Sequence, residues 1–447
     1  MSLETSATSL GIDVGTSKVA AVILDADGQS VAHASRPTNA GLRSRFSNSA
    51  EQDPQLIFSA LWSCLDSLPR ELKQRTRSVG ITGQMHGVLL WNSETDTAPL
   101  ATWQDQRSTA EELIRFRHRT TDISLQHGFG AVTLMWLAEH QPEILKQYRH
   151  ASTIHDFIAA CLCKSAPITD PSDAASWGIF DLRKLSWDDA ALARSEVPAS
   201  LFPRVLPMGT VLGPLKHQRA ISCGLPVGIP VLNAVGDNQA SLFATIEHSS
   251  NDVALTLGTG GQLSVVLSSL PRGNLPSGID IRPYIDGKYI AVAASLCGGK
   301  SFAWIRETIR NWCADLGVTP PEDAVLYKRL NDLGLEHLDS PLAATTSFIG
   351  ERHAPDRRGS ISNIDLSNFT LGNLSAAIVR DIINNLYSMM PREFLSNKKR
   401  VVGSGNGLRQ LPLAQRWAEK IIGLPLHLIS LEEEAAVGAA RLAQRAL

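Results

Sequence analysis

The stretch Leu10-Gly-Ile-Asp-Val-Gly-Thr-Ser-Lys18 decides the fold, and Val253-Ala-Leu-Thr-Leu-Gly-Thr-Gly-Gly261 repeats its pattern in the second half of the chain. Each copy is an apolar strand pattern that ends in a Gly-Thr pair. A second strand pattern follows each pair, at residues 19–24 and 263–267. The sequence therefore predicts two β-hairpins whose tight turns are large enough to hold a phosphate group.

The two turns differ from the common phosphate-binding motifs because a strand follows each of them. In a P-loop or a dinucleotide fingerprint the turn must open a helix, and no G-x-x-x-x-G-K-[ST] run occurs here. A single Gly-Thr pair would be explained by hairpin geometry alone. The duplication, as Gly15-Thr16 and Gly258-Thr259, instead favours two lobes whose backbone N–H groups hold nucleotide phosphates. The chain is predicted to be a two-lobed phosphotransferase.

Asp13 lies inside the first apolar strand pattern. A carboxylate in such a place costs desolvation energy unless it serves a partner. A hydrated magnesium ion is the obvious partner beside a phosphate-binding turn, because Mg²⁺ prefers oxygen ligands and retains several waters. We therefore predict that Asp13 is the metal ligand.

Composition describes an ordinary globular protein and excludes several classes of partner. The 447 residues are 43% hydrophobic and 19% charged, enough chain for two or three domains. The net charge of −2 gives no electrostatic footprint for nucleic acid or for an anionic membrane. Small neutral partners fit better, and the oligomeric state cannot be read from the sequence.

The lack of a predicted signal peptide and the scattered cysteines favour a reducing compartment. Residues 1–9 lack the regions of a signal peptide, and no apolar stretch approaches the length that spans a bilayer. The six cysteines are scattered without a C-x-x-C pair, so free thiols are expected. The chain is predicted to be cytoplasmic.

Strand and helix patterns alternate along the chain, which indicates the α/β class. Residues 54–68 and 374–390 have the apolar spacing of helices that bury one face. A capping box, with Ser430 as N-cap and Glu433 at the third helical position, predicts the start of the last helix. The domain boundary is placed shortly after Asp237, giving lobes at 1–243 and 244–447.

Two polar segments predict a sugar site. Gly83-Gln-Met-His-Gly87 follows a strand pattern, so its side chains should project at the carboxyl edge of a sheet. Trp103-Gln-Asp-Gln-Arg107 combines an aromatic wall, a carboxylate and a guanidinium, a mixture suited to polyhydroxylated ligands. The alternatives are a histidine satisfied by nearby backbone and a simple loop salt bridge.

Three further loops carry candidate chemistry. Gly236-Asp-Asn238 follows a buried strand pattern and places Asp237 as a general base, with an Asx turn as the alternative. Gly403-Ser-Gly-Asn-Gly407 is a glycine-rich loop that would hold adenosine, although such loops are weak signals alone. The charged turn Gly350–Gly359 is either a brace between lobes or a solvated loop.

Together these segments resemble the FGGY carbohydrate kinases, a branch of the actin-like ATPase superfamily. The resemblance spans nearly the whole chain in nine ordered matches. They are Asp13–Ser17, Gly83–Gly87, Trp103–Arg107, Thr169–Ala174, Gly236–Asn238, Gly258–Gly260, Gly350–Gly359, Gly403–Asn406 and Glu434–Ala439. The resemblance implies a two-lobed actin-like (ribonuclease H-like) α/β fold, with duplicated lobes and a central cleft.

The resemblance also implies the substrates and the role of each site residue. ATP and Mg²⁺ would serve as cofactors, Asp237 as the general base and Asp13 as the Mg²⁺ ligand. The phosphates would face Gly15, Thr16, Ser17 and Lys18 in the first lobe and Gly258, Thr259 and Gly260 in the second. A ketose sugar would contact Gln84, Met85, His86, Trp103, Asp105 and Asp237, and adenosine would lie on Gly403, Ser404, Gly405 and Asn406.

Within the family, the chain is most similar to members that phosphorylate the terminal hydroxyl of sedoheptulose. The segments that carry this similarity are Thr102–Arg107, Gly128–Gly130, Thr153–Phe157, Ala174–Gly178 and Ala293–Gly299. Gly260-Gly261 departs from the usual second phosphate turn, which puts nucleotide affinity rather than activity in doubt. Two alternatives stay open: a kinase for xylulose or another ketose or polyol, and a non-catalytic ATP-binding regulator.

Overall fold

The computed structural model describes residues 7–43, 46, 48–122, 124–246, 251–273, 275–351, 354 and 356–447. The described chain divides by its internal packing into two compact units. Unit 1 holds the described residues up to 244, together with 283–287 and 431–447, and unit 2 holds those of 245–282 and 288–430. The predicted second lobe, 244–447, therefore differs from unit 2 at its C-terminal end.

Unit 1 is a mixed α/β unit. Its strands are β1 Thr8–Val14, β2 Lys18–Leu24, β3 Ser30–Pro37, β4 Gly41–Leu42, β5 Glu51–Gln52, β6 Thr76–Gly83, β7 Leu89–Ser93, β8 Asp96–Thr97, β9 Leu100–Ala101, β10 His150–Ser152, β11 Ile168–Thr169, β12 Phe180–Asp181, β13 Ser186–Trp187, β14 Arg204–Val205, β15 Val211–Pro214, β16 Pro230–Leu232 and β17 Val235–Gly236. Its first ten helices are α1 Pro54–Ser67, α2 Arg70–Gln74, α3 Ala110–Thr120, α4 Gly130–His140, α5 Pro142–Gln147, α6 Ile154–Cys163, α7 Pro171–Ser176, α8 Asp189–Ser195, α9 Gln218–Ser222 and α10 Asp237–Thr245.

Unit 2 is also α/β. Its strands are β18 Asp252–Leu257, β19 Gly261–Leu267, β20 Ile279–Pro283, β21 Tyr289–Ser295, β22 Ala343–Thr345, β23 Ser360–Ser362, β24 Arg400–Ser404 and β25 Leu426–Leu428. Its helices are α11 Gly299–Asp315, α12 Asp323–Glu336, α13 Leu371–Met389, α14 Arg392–Leu395, α15 Asn406–Arg409 and α16 Pro412–Ile422. The last helix of the chain, α17 Glu434–Arg445, returns to unit 1.

The central sheet of unit 1 has the strand order β15-β16-β6-β1-β2-β3. Strands β1 and β2 form the predicted antiparallel hairpin, and β6 lies parallel to β1 on its other side. Strand β17 also pairs with β6 in parallel, which sets Gly236 beside Gly83. The segments that follow β1, β6 and β17 therefore leave the sheet at the same edge.

The central sheet of unit 2 repeats this plan in the order β20-β21-β19-β18-β24-β25. Strands β18 and β19 form the second predicted hairpin, and β24 lies parallel to β18. Strand β25 is parallel to β24 in turn. The duplicated hairpin predicted from the sequence is confirmed, and each copy lies beside a parallel strand whose end meets its turn.

Local sequence explains why two predicted helices form where they do. Helix α1 begins at Pro54, whose missing N–H costs nothing in a first turn, and the Asp53 carboxylate accepts a hydrogen bond from Gln55 N at 2.8 Å. Helix α13 begins after Thr370, whose hydroxyl accepts from Asn373 N. Both helices bury an apolar stripe, as predicted.

The two faces of the unit 1 sheet are covered differently because side chains alternate along β1. Leu10, Ile12 and Val14 pack into the main core. The opposite face presents Gly11 and, from β6, Gly80. A Cβ built on Gly11 would lie 1.9 Å from the carbonyl oxygen of Ala436 in α17. Helix α17 thus packs directly on the strand backbone, which is why it belongs to unit 1.

Helix α17 begins differently from the prediction. The capping box is wrong, because Glu433 is the N-cap residue, has a left-handed φ of 54° and makes no side-chain cap hydrogen bond. Its carboxylate instead accepts two hydrogen bonds from Lys18 Nζ, at 2.6 and 2.7 Å. The ion pair with a residue distant in sequence holds the side chain away from the helix terminus.

We expect Gly438→Ala to destabilise the protein. A Cβ there would lie 1.9 Å from the carbonyl oxygen of Ala240 in α10. Overpacking of about 1–3 kcal/mol then outweighs the roughly 1 kcal/mol that alanine gains in helix propensity. Urea unfolding should show the loss. Gly41→Ala is the control, because no atom lies within 4 Å of a Cβ at Gly41, and equal stability of the two variants would contradict the packing.

Candidate active site

The first phosphate turn is held by hydrogen bonds from three directions. Thr38 donates from its backbone N to Ser17 O at 2.9 Å and from its hydroxyl to Thr16 O at 3.0 Å. Gln52 Nε2 also donates to Thr16 O, at 2.7 Å. Trp103 Nε1 donates to Thr16 Oγ1 at 2.9 Å. The structure thus brings a predicted phosphate residue together with a predicted sugar residue.

Lys18 does not project freely from this turn. Its ammonium group is paired with both carboxylate oxygens of Glu433. Gly15 and Ser17 lie in the turn as predicted, between β1 and β2. A phosphate contact from Lys18 would require this ion pair to open or to be shared.

The predicted sugar loop follows β6 at the carboxyl edge of the sheet. Gln84 and Met85 are buried, and Gln84 Oε1 accepts a hydrogen bond from Thr16 Oγ1 at 3.0 Å. Met85 packs against Gly236, where an added Cβ would lie 2.6 Å from the thioether sulfur. The loop therefore lies against the strand that precedes Asp237.

His86 has a defined orientation and tautomer. Its φ of 72° is left-handed, and its ring stacks on Phe129 with centroids 4.7 Å apart. His86 Nδ1 lies 2.7 Å from Ser176 O, and because a carbonyl oxygen can only accept, Nδ1 is the donor. In the neutral imidazole this leaves Nε2 as an acceptor. Phe129 and Ser176 lie in two of the segments that carry the resemblance to the family, but nothing in the sequence assigned them to the site.

Trp103 and Asp105 differ in their exposure to solvent. Trp103 is 40% exposed and can present its ring to a ligand. Asp105 is buried, and both of its oxygens are used within the protein: Arg107 donates to each, and Ala50 N donates to Oδ2 at 3.0 Å. Asp105 therefore forms the loop salt bridge that the sequence left open, and its sugar contact stays a prediction.

Asp237 is the first residue of α10 and follows β17 directly. The backbone before it is held by Gly236 N, which donates to Ser172 Oγ at 3.0 Å. Ser172 donates in turn to the buried carboxylate of Asp170 at 2.8 Å. This chain of hydrogen bonds fixes the position from which the Asp237 side chain projects.

A buried polar cluster lies behind Asp237 that sequence reasoning missed. His155 Nε2 is 2.7 Å from Asp173 Oδ2, and both side chains are fully buried. Burial lowers the pKa of His155, opposed by the charges of Asp156, Asp237 and Asp170. Burial raises the pKa of Asp173, and Asp237 raises it further. The two acidic residues in Thr169–Ala174 were the available sequence signal.

Asp13 fits the role of a ligand to a hydrated divalent cation. Its Oδ1 is shielded from solvent and has no hydrogen-bond partner in the part of the chain that the structure describes. Desolvation, followed by the charges of Asp237 and Glu433, raises the pKa of Asp13 to about 8, against the opposing charge of Lys18. A cation at this oxygen would relieve both penalties.

The second phosphate turn lies in unit 2, between β18 and β19. Gly258 N donates to Gly260 O at 3.0 Å, and Gly299 N, at the start of α11, donates to Gly258 O at 2.8 Å. No atom lies within 4 Å of a Cβ built on Gly258, whereas one on Gly260 would lie 2.8 Å from Ser295 O. Gly260 is therefore required by close backbone packing, which explains the departure noted in the sequence.

The predicted adenosine loop begins two residues later than expected, because β24 continues to Ser404. Gly403 and Ser404 lie inside β24, and Ser404 Oγ is 2.9 Å from Thr256 Oγ1. Gly405 has a left-handed φ of 84° and, with Asn406, begins the turn into α15. These four residues form the strand end and its turn.

A cavity of about 630 Å³ in unit 2 begins immediately after this loop. None of residues 403–406 lines it. Its lining includes Gly298, Gly299, Phe302, Tyr327, Asn331, Gly407, Gln410 and Leu411. Its size suits a nucleoside. The cavity combines residues from five separate segments of the chain, which no single motif could reveal.

The charged turn at 350–359 is only partly described. Arg352, His353 and Pro355 lie outside the described residues. Glu351 is buried, and its Oε1 accepts from Ser295 Oγ at 2.7 Å and from Asn385 Nδ2 at 2.9 Å. Glu351 thus braces the interior of unit 2.

The raised pKa of Asp13 predicts a pH-dependent stability in the absence of divalent cations. The folded protein retains a proton on Asp13 between about pH 4 and pH 8 that the unfolded chain releases, so wild-type stability falls as pH rises across this window. Asp13→Asn cannot ionise. Thermal melts in the presence of a chelator should therefore show that the melting temperature of Asp13→Asn rises relative to that of wild type from pH 5 to pH 8.5.

The exposed Asp27→Asn is the control for this experiment, because it should follow the wild-type profile. A constant difference in melting temperature between wild type and Asp13→Asn at every pH would contradict the proposed protonation of Asp13.

Comparisons with known proteins agree with this geometry. A model of the FGGY family of carbohydrate kinases, N-terminal domain, matches residues 8–244. The sedoheptulokinase of Homo sapiens is 34% identical over 468 residues, covering 96% of each chain. The xylulose kinase of Escherichia coli (strain K12) is 28% identical over 260 residues, covering 56% of this chain and 53% of its own. The crystal structure of gluconate kinase from Lactobacillus acidophilus covers 99% of this chain and 89% of its own, with 21% identity and a TM-score of 0.83.

These findings confirm the family and the actin-like (ribonuclease H-like) α/β fold predicted from the motifs. In the described part of the chain, no helix is long and apolar enough to cross a membrane. All six cysteines are free, as predicted. The chain belongs to the FGGY family of carbohydrate kinases and is an ATP-dependent sugar phosphotransferase.

Proposed function

We propose that this kinase transfers the γ-phosphoryl group of ATP to the terminal hydroxyl of sedoheptulose, giving sedoheptulose 7-phosphate. The near-full-length match to the human sedoheptulokinase carries this proposal. The match to the bacterial xylulose kinase covers little more than half of the chain. A location in the cytoplasm, where ATP and free thiols coexist, stays a prediction.

In this proposal Asp237 accepts the proton of the attacking hydroxyl. Its position at the start of α10, beside the sugar loop, supports this role. The hydroxyl oxygen forms the new bond to phosphorus as the bond to the leaving ADP oxygen breaks. Because the transition state is loose, orientation matters more than a strongly basic carboxylate. Asp237 therefore acts mainly by positioning the hydroxyl and receiving its proton late.

Phosphate binding is assigned to the backbone of the two hairpin turns. Gly15, Thr16 and Ser17 in unit 1 and Gly258, Thr259 and Gly260 in unit 2 would supply N–H donors. When bound, Mg²⁺ neutralises charge on the phosphates, and Asp13 would hold it through water. The unit 2 cavity beside Gly407 is assigned to adenosine.

The ketose is assigned to the loop at 84–86 and to Trp103. His86 Nε2, as acceptor, would receive a hydrogen bond from a sugar hydroxyl. The half-exposed Trp103 ring would cover an apolar C–H face of the sugar. Phe129 supports the His86 ring from behind, so it would set the angle at which His86 meets the substrate.

Asp237→Asn tests the assigned base. The amide keeps the shape of the side chain but cannot accept the proton, so kcat should fall by about 10²- to 10⁴-fold while ATP still binds. Steady-state ADP release and calorimetry provide the two measurements. Asp27→Asn should behave as wild type, and turnover near wild type in Asp237→Asn would exclude Asp237 as the base.

A panel of ketoses tests the substrate. A site that hydrogen-bonds every hydroxyl of a seven-carbon sugar leaves groups unpaired with a shorter one, at about 1–3 kcal/mol each. We expect kcat/KM for sedoheptulose to exceed that for xylulose and fructose by at least about tenfold. If xylulose equals or exceeds sedoheptulose, the substrate assignment is wrong although the chain remains a kinase.

A further inference from the structure

A closed ring of hydrogen bonds connects the first phosphate turn to the sugar loop in unit 1. Thr16 Oγ1 donates to Gln84 Oε1 at 3.0 Å, and Gln84 Nε2 donates to Gln52 Oε1 at 2.9 Å. Gln52 Nε2 donates back to Thr16 O at 2.7 Å. Gln52 and Gln84 are buried, at 7% and 4% exposure. The ring therefore forms away from competing water.

The backbone carbonyl of Thr16 sets the direction of every hydrogen bond in the ring. A carbonyl oxygen can only accept, so Gln52 presents Nε2 to Thr16 O and Oε1 to Gln84 Nε2. This orients the Gln84 amide, whose Oε1 then accepts from the Thr16 hydroxyl. The same hydroxyl accepts from Trp103 Nε1, because an indole N–H can only donate. Trp103 is thus joined to the backbone of the phosphate turn through the Thr16 hydroxyl and the two amides.

Gln52 is the member of the ring that touches neither substrate in the proposed function. It lies on the short strand β5, outside the sugar loop and outside the phosphate turn. Its amide nitrogen and oxygen connect Thr16 to Gln84. Removing the amide would leave both assigned binding segments present but would open the ring.

We propose that Gln52 is a positioning residue that couples ketose binding to the geometry of the first phosphate turn. The inference rests on the proposed function. A ketose that contacts Trp103 and the 84–86 loop holds the ring in one orientation, which fixes the Thr16 peptide and the N–H groups that meet the phosphates. By linkage, nucleotide binding then tightens ketose binding by the same factor.

Thr38 provides a matched control for this proposal. Its hydroxyl donates to the same Thr16 carbonyl at 3.0 Å, but among the described residues it forms no hydrogen bond with Gln84 or Trp103. Thr38→Val therefore removes an anchor of the turn without opening the ring. Gln52→Met and Gln52→Leu remove the amide from a side chain of similar size, and either folded variant suffices.

The experiment measures the coupling factor by calorimetry, as the ratio of ketose Kd without and with a saturating non-hydrolysable ATP analogue. The ketose is the one that wild type turns over fastest, so failure of the sedoheptulose assignment would not affect the test. We expect a factor of about 5 to 150 in wild type and Thr38→Val, falling to below about 3 in the Gln52 variants. Wild-type coupling in a Gln52 variant, an equal loss in Thr38→Val, or the absence of coupling in wild type would each overturn the proposal.

Discussion

The parallel pairing of β1, β6 and β17 is the constraint on which the candidate site depends. Parallel strands end at the same edge of a sheet, so their following residues must meet there. Asp13 and the first phosphate turn end β1, the Gln84 loop ends β6, and Asp237 follows β17. The proposed metal ligand, the proposed sugar loop and the proposed base are thereby gathered from three distant segments. The same plan in unit 2 brings the end of β24 to the second turn.

This arrangement has a cost in stability that the packing of α17 and α10 must offset. The Oδ1 atom of Asp13 and the side chains of Asp173 and His155 are shielded from water, and burial opposes the charged form of each group. Such groups persist where they serve a partner or a reaction. Glycines in β1 and β6 let α17 pack directly against the sheet, and Gly438 in α17 lets α10, which begins at Asp237, pack directly against α17. Close packing of the two helices therefore offsets the free energy that burying these titratable groups costs.

Interactions between residues close in sequence decide the parts of the site that could be predicted. Interactions between residues distant in sequence decide the rest. Motif positions correctly indicated the two turns and the 83–87 loop, because strand alternation and turn chemistry are local. The hydrogen bonds that hold Asp105 could not be predicted in full, because Ala50 is a partner that only folding brings near. The unit 2 cavity was missed because its walls come from several separated helices and turns.

Sequence alone determined the family, the α/β class and the duplicated hairpins, because these depend on residue order and on periods of two and 3.6 residues. Tertiary structure alone decided the start of α17. Glu433 satisfies a local capping pattern, but it pairs with Lys18, 415 residues away, and adopts a left-handed backbone conformation instead. A local preference worth about one kcal/mol yields when a long-range ion pair and the packing of a whole helix oppose it. The fold decides which of the two available partners, the helix terminus or Lys18, the Glu433 side chain contacts.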